Sequence, residues 1–137
     1  MALADAHRGL RHLFVHDLVL AARIGVHTHE HAAPQRVRLN LDLGVAESGQ
    51  APGTLTEVVD YEALTGRVRR LVQEGHVLLV EQLAERLARL CLEDPRVRTV
   101  RVRVEKLDAI ADCAAVGVEI ERLNPRPLAA PDTINRA

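Results

Sequence analysis

A two-layer α+β domain of order β-β-α-α-β-β is predicted by three observations. Segments toward both ends of the chain alternate apolar and polar residues with the period of two that marks half-buried strands. Between them the apolar spacing becomes helical, twice. The 137 residues, 47% hydrophobic and 27% charged, fit one soluble globular domain.

Phe14 to Ile24 reads as the first strand, with a break near His16 and Asp17. The second is clearer: Val37, Leu39, Leu41, Leu43 and Val45 alternate with Arg36, Arg38, Asn40 and Asp42, until Gly49 to Gly53, with Pro52, ends the pattern. The first helix opens at Tyr61 behind Asp60 as N-cap, aligns Leu64, Val68, Leu71 and Val72, and stops at Gly75. A second, from about Val80 to Glu93, aligns Leu83, Leu87 and Leu90 with Ala84 and Cys91 alongside, and Pro95 follows it. Val100, Val102 and Val104, between arginines, form the third strand. Val116, Val118 and Ile120, alternating with Gly117, Glu119 and Glu121, form the fourth.

Residues 1–11 and the Pro-containing residues 123–137 are expected to be loosely held extensions of a single domain over 12–122. Two helices can cover one face of a four-stranded antiparallel sheet. The bare sheet edges invite pairing with further copies, and closure into a larger barrel would remove them.

Composition narrows the function. Phe14 and Tyr61 are the only aromatic residues among Phe, Trp and Tyr, so the core must be aliphatic and no stacking platform exists for single-stranded nucleic acid. The net charge of -1 likewise argues against a nucleic-acid partner. Cys91 and Cys113 lack a CxxC spacing and read as free thiols in a reducing compartment. With neither a signal-peptide pattern nor an apolar run of membrane-spanning length, a cytoplasmic location without membrane association is expected.

Lys106 is the only lysine, set against seventeen arginines. Burial can lower the pKa of an amine until it exchanges a proton, whereas a guanidinium stays protonated. Lys106 is therefore a candidate acid/base, although its count alone is also compatible with compositional drift.

Four segments carry a more specific signal together: Ile24 to Glu30 with Gln35, then Val59-Asp60-Tyr61, then Leu79 to Glu85, and finally Val104-Glu105-Lys106. In this order and spacing the chain resembles the dihydroneopterin aldolase family of the tunnelling-fold superfamily, over roughly residues 12 to 122 and including the last strand, Ala115 to Arg122. The resemblance implies a folate-pathway lyase. It also implies Lys106 as the catalytic lysine, Tyr61 as a tyrosine at the head of the first helix, and Glu30 as an acid that positions substrate groups. Glu81 matches the family's pterin-anchoring glutamate, with backbone groups around Val59, Leu79 and Val80 completing the pterin edge. A homo-tetramer or homo-octamer with sites at subunit interfaces is implied as well.

The residue types suit that chemistry. A carboxylate at Glu81 can accept two hydrogen bonds from the 2-amino group and ring N–H of a dihydropterin. In 7,8-dihydroneopterin an N5=C6 imine already serves as electron sink for cleavage of the side chain. The expected reaction therefore uses no cofactor, metal or enzyme Schiff base, and Lys106 would act as an acid/base with Tyr61 relaying a proton. His27, His29 and His31 could in principle bind zinc, but they sit in a predicted loop around Glu30 and are read as solvated or substrate-facing.

Two alternatives stay open. Lys106-Leu107-Asp108-Ala109 departs from the Lys-Pro of many aldolases and is similar to the related dihydroneopterin triphosphate 2'-epimerase, which would use the same cleavage followed by re-addition. A noncatalytic tunnelling-fold subunit that only assembles is the other.

Overall fold

The alternating run of the second strand becomes the centre of the sheet. In the computed structural model, which describes residues 3–25, 33–47, 53, 54, 58–74, 76 and 79–128, β2 (Gln35–Ala46) buries Val37, Leu39, Leu41 and Leu43 completely. β1 (Leu10–Ala22) pairs with it on one side and β3 (Val97–Lys106) on the other. β4 (Val116–Leu123) completes the order β1-β2-β3-β4, with every pair antiparallel.

Register aligns the apolar sets of neighbouring strands. Leu39, Leu41 and Leu43 face Val104, Val102 and Val100, all fully buried on one side of the sheet. Two helices cover that side. α1 (Tyr61–Gln73) buries Leu64, Val68 and Val72 and lies against β1. α2 (Val80–Cys91) buries Leu83, Ala84, Leu87, Ala88, Leu90 and Cys91 and lies against β3 and β4. Each fully buried Leu or Val stabilises the fold by about 1.5–3 kcal/mol relative to exposure. Phe14 and Tyr61 are 56% and 63% exposed, so the core among the described residues is aliphatic, as composition requires.

The helix ends follow their sequence signals in part. Asp60 Oδ1 accepts from the backbone N–H groups of Glu62 and Ala63, capping α1. At α2 the Gln82 side chain reaches back to accept from the Leu79 N–H at 3.0 Å. α2 stops at Cys91 rather than Glu93, because the chain turns there and Arg96 clasps Asp94 two residues away. Gly75 and residues 49–52 lie outside the described residues.

β1 begins four residues earlier than its pattern suggested, and the break near His16 and Asp17 is a β-bulge with Asp17 at φ 58°. Its early start is anchored by Leu3 and Leu10, both buried, and by pairing of Asp5 with Leu10. At the other end Asn124, 8% exposed, donates to the carbonyls of Leu92 and Val97. The described parts of both end segments are thus tied to the domain.

The helix-free face is charged and paired. Arg38 grips Glu105, Arg101 grips Glu121, and His12 and His16 both place Nε2 2.7 Å from Asp42 Oδ1, with Phe14 packed between the imidazoles. Among the described residues no helix is long and apolar enough to cross a membrane.

Candidate active site

Lys106 is the last residue of β3, where the sheet ends and its neighbours are Val37 of β2 and Val116 of β4. Opposed residues of an antiparallel pair project to the same face. Because Val37 is fully buried beneath the helices, the Lys106 side chain leaves the sheet on the helix side, where it is half-buried. Its backbone is held tightly. The preceding Glu105, 7% exposed, accepts from Arg38 Nε and Nη2 at 3.0 and 2.8 Å on the opposite face. Those hydrogen bonds, with the charge of Arg38 behind them, hold the Glu105 carboxyl below its ordinary range against the opposing effect of burial.

β4 reaches Lys106 only because residue 117 has no side chain. A Cβ on Gly117 would sit 1.9 Å from the Val104 carbonyl oxygen and 2.8 Å from Glu105 Cα. The Lys106–Val116 pairing thus depends on that glycine.

Glu81 lies exposed in the first turn of α2, beside Val80 and the 44% exposed Leu79. α2 leads through a short turn into β3, so the two run in opposite directions and the head of α2 points toward the Lys106 end. The same end receives the stretch leading into the Glu30 segment: Gln35 Nε2 donates to the Ile24 carbonyl at 2.9 Å, and His76 Nε2 lies 3.0 Å from the Gly25 carbonyl. Glu30 itself, with His27, His29 and His31, lies outside the described residues.

Tyr61 and Val59 are elsewhere. Val59 and Asp60 line a surface depression of about 370 Å³ together with Leu43, Leu90, Asp94 and Arg96, which belong to the Val97 end of β3. A strand of ten residues spans about 30 Å. One chain therefore gathers Lys106, Glu81, Val80 and Leu79 toward one end and presents Val59 and the exposed Tyr61 at the other.

Sequence reasoning passed over Arg36, Arg38 and Asp108 around Lys106, and the paired imidazoles on Asp42. Strand alternation assigns a face to each arginine, but only the register shows which carboxylate each one meets. Cys91 is buried, which pushes its thiol up to about 12 and leaves it unreactive, while Cys113 is exposed.

The family model described as dihydroneopterin aldolase (FolB) matches residues 13–121. The dihydroneopterin aldolase of Escherichia coli strain K12 is 31% identical over 115 residues, covering 82% of this chain and 93% of that protein. The dihydroneopterin triphosphate 2'-epimerase of Pseudomonas aeruginosa is 27% identical over 113 residues, covering 82% and 92%. Among solved structures, a dihydroneopterin aldolase from Burkholderia thailendensis bound to guanine superposes with a TM-score of 0.73 at 38% identity, over 84% of this chain and 92% of that one.

Proposed function

The chain belongs to the dihydroneopterin aldolase family, and on that premise we propose that it cleaves 7,8-dihydroneopterin by a retro-aldol reaction, giving 6-hydroxymethyl-7,8-dihydropterin and glycolaldehyde. The observation that carries the site assignment is the arrangement of the one lysine and the head of α2 toward one end of the sheet.

Glu81 binds the pterin. Its carboxylate accepts from the 2-amino group and the adjacent ring N–H, and the backbone around Leu79 and Val80 meets the rest of that edge. Guanine, found in the Burkholderia relative, presents the same pairing of an amino group and a ring N–H, which supports this mode of recognition.

Lys106, directly or through a water, removes the proton of the 2'-hydroxyl. The C1'–C2' bond then breaks, its electron pair moves into the N5=C6 imine, and N5 takes up a proton. Glycolaldehyde leaves, and the resulting enamine is protonated at C1' as N5 gives its proton back, restoring the imine. The ring is its own electron sink, so neither a Schiff base on Lys106 nor a metal is required. Glu30 positions substrate groups near the amine, and Tyr61 relays the proton to the intermediate.

Tyr61 and Val59 lie near the opposite end of the chain from Lys106, so the complete site is built between two copies. Lys106, Glu81, Val80 and Leu79 come from one and Tyr61 with Val59 from the next. The open edges of β1 and β4 supply the surfaces for ring closure into a tetramer or a stacked octamer. The reaction belongs in the cytoplasm with the rest of folate synthesis.

Epimerisation at C2' is the second reading, favoured by Leu107 after the lysine and by the Pseudomonas relative. Incubation with 7,8-dihydroneopterin and, separately, its triphosphate distinguishes the two. Release of glycolaldehyde from the unphosphorylated substrate supports the aldolase, epimer formation without release supports the epimerase, and no turnover of either contradicts both.

A further inference from the structure

The backbone on both sides of Lys106 is fastened by arginines of β2. Arg38 holds Glu105 before it. After it, the Leu107 N–H donates to the Arg36 carbonyl at 3.0 Å, extending the β2–β3 ladder one residue past the lysine. Arg36 then folds onto Asp108: Nε lies 3.1 Å from Oδ2, Nη2 lies 2.8 Å from Oδ1, and the Arg36 backbone N–H donates to Oδ2 at 3.1 Å. One residue of β2 thus makes four hydrogen bonds to the two residues that follow Lys106.

This clasp is poorly placed to stabilise the fold. The Arg36 and Asp108 side chains are 63% and 42% exposed, and ion pairs so open to solvent contribute little to global stability. What it does constrain is local. It closes the turn leaving β3 onto β2, fixing the backbone from which the amine projects, at a position where Leu107 leaves the backbone torsion freer than proline would.

We propose that Arg36 and Asp108 are positioning residues for Lys106, acting through the backbone clasp to hold its amine over the substrate side chain. The proposal rests on the assignment of Lys106 as the proton-transferring group. Proton transfer is sensitive to placement, and a displacement of about 1 Å can lower the rate roughly 100-fold.

The test compares wild type, Lys106→Ala, Asp108→Ala, Asp108→Asn, Arg36→Ala and the reciprocal exchange Arg36→Asp/Asp108→Arg in the full-length protein. Turnover of 7,8-dihydroneopterin, affinity for 6-hydroxymethyl-7,8-dihydropterin, melting temperature and hydrogen exchange of the Leu107 amide are measured. Both clasp alanine variants are expected to lower kcat about 10- to 100-fold, with product affinity and melting temperature nearly unchanged and faster exchange at Leu107. Asp108→Asn should fall between them and wild type, and the reciprocal exchange, which restores the side-chain pair but not the bond from the residue-36 backbone N–H, should recover part of the lost kcat. If Lys106→Ala is inactive while the clasp variants keep full kcat, the positioning role is wrong and the assignment of Lys106 stands. Full activity of Lys106→Ala overturns both. Losses that track melting temperature, with no recovery in the exchange, reduce the clasp to a structural ion pair and overturn the proposal.

Discussion

Val37 stands opposite Lys106 across the β2–β3 ladder and is fully buried, which sends the one lysine of the chain out on the same side of the sheet as the helices. The neighbouring pair, Arg38 and Glu105, is directed to the other face. A slip of one residue in this register would exchange the two. Replacement of Lys106 by alanine is expected to lower kcat about 100- to 10,000-fold while pterin affinity changes little. Lys106→Arg should not restore turnover, because a guanidinium does not give up its proton. Stopped-flow release of glycolaldehyde and titration with 6-hydroxymethyl-7,8-dihydropterin check both halves.

Glu81 should show the opposite division. Its alanine variant is expected to weaken dihydropterin affinity about 10- to 100-fold, the range for a lost hydrogen bond to a charged group, with a smaller effect on kcat at saturation. Isothermal titration with the product measures it. Glu81 is exposed in the first turn of α2, so a large fall in melting temperature would contradict a binding role.

Gly117→Ala is expected to destabilise the domain by about 1–3 kcal/mol, the range for overpacking a closely packed site. Its methyl group would meet the backbone of Val104 and Glu105, which cannot swing aside. Urea unfolding gives the change in stability. Turnover should fall with it, because the displaced strand is the one that flanks Lys106.

Acid should loosen the Glu105 clasp. Hydrogen bonds from Arg38 hold this carboxyl below its ordinary 4.5 in the folded protein. The unfolded chain therefore binds the proton first as pH falls. The resulting stabilisation is complete above the unfolded value and is lost as pH drops through the lower folded value. Glu105→Gln should flatten the pH dependence of the urea midpoint in that window, and an unchanged slope would contradict the assignment.

The alternation of Val37 to Val45 and the helical spacing behind Asp60 made the element order readable, because each pattern is the imprint of one buried face. The early start of β1 was harder to read. Leu10 is held by Leu3 and Asp5 through a short local fold that has no period. Lys106, Glu81 and Tyr61 could be found as residue types in a family-like order, yet nothing along the chain says that Tyr61 and Lys106 belong to opposite ends of it. That separation follows from the direction of β3 and the position of Asp60 beside Leu43 and Arg96. Arg36 and Asp108, 72 positions apart, meet only through pairing of β2 with β3, and a one-dimensional pattern carries no record of such a meeting.

A site shared between copies is the central claim, and mixing two inactive variants tests it most directly. Lys106→Ala spoils one end of the chain and Tyr61→Ala the other, and Tyr61 is 63% exposed, so its removal opens no core. When the two are unfolded together and refolded at equal amounts, random assembly should restore about a quarter of the sites and a matching share of wild-type aldolase turnover. A parallel mixture of Lys106→Ala with Glu81→Ala, both altered at the same end, should turn over no faster than the sum of its components. Recovery in the first mixture and not in the second is the predicted result. A first mixture no more active than its components, under conditions where wild type refolds to full activity, would contradict the shared site.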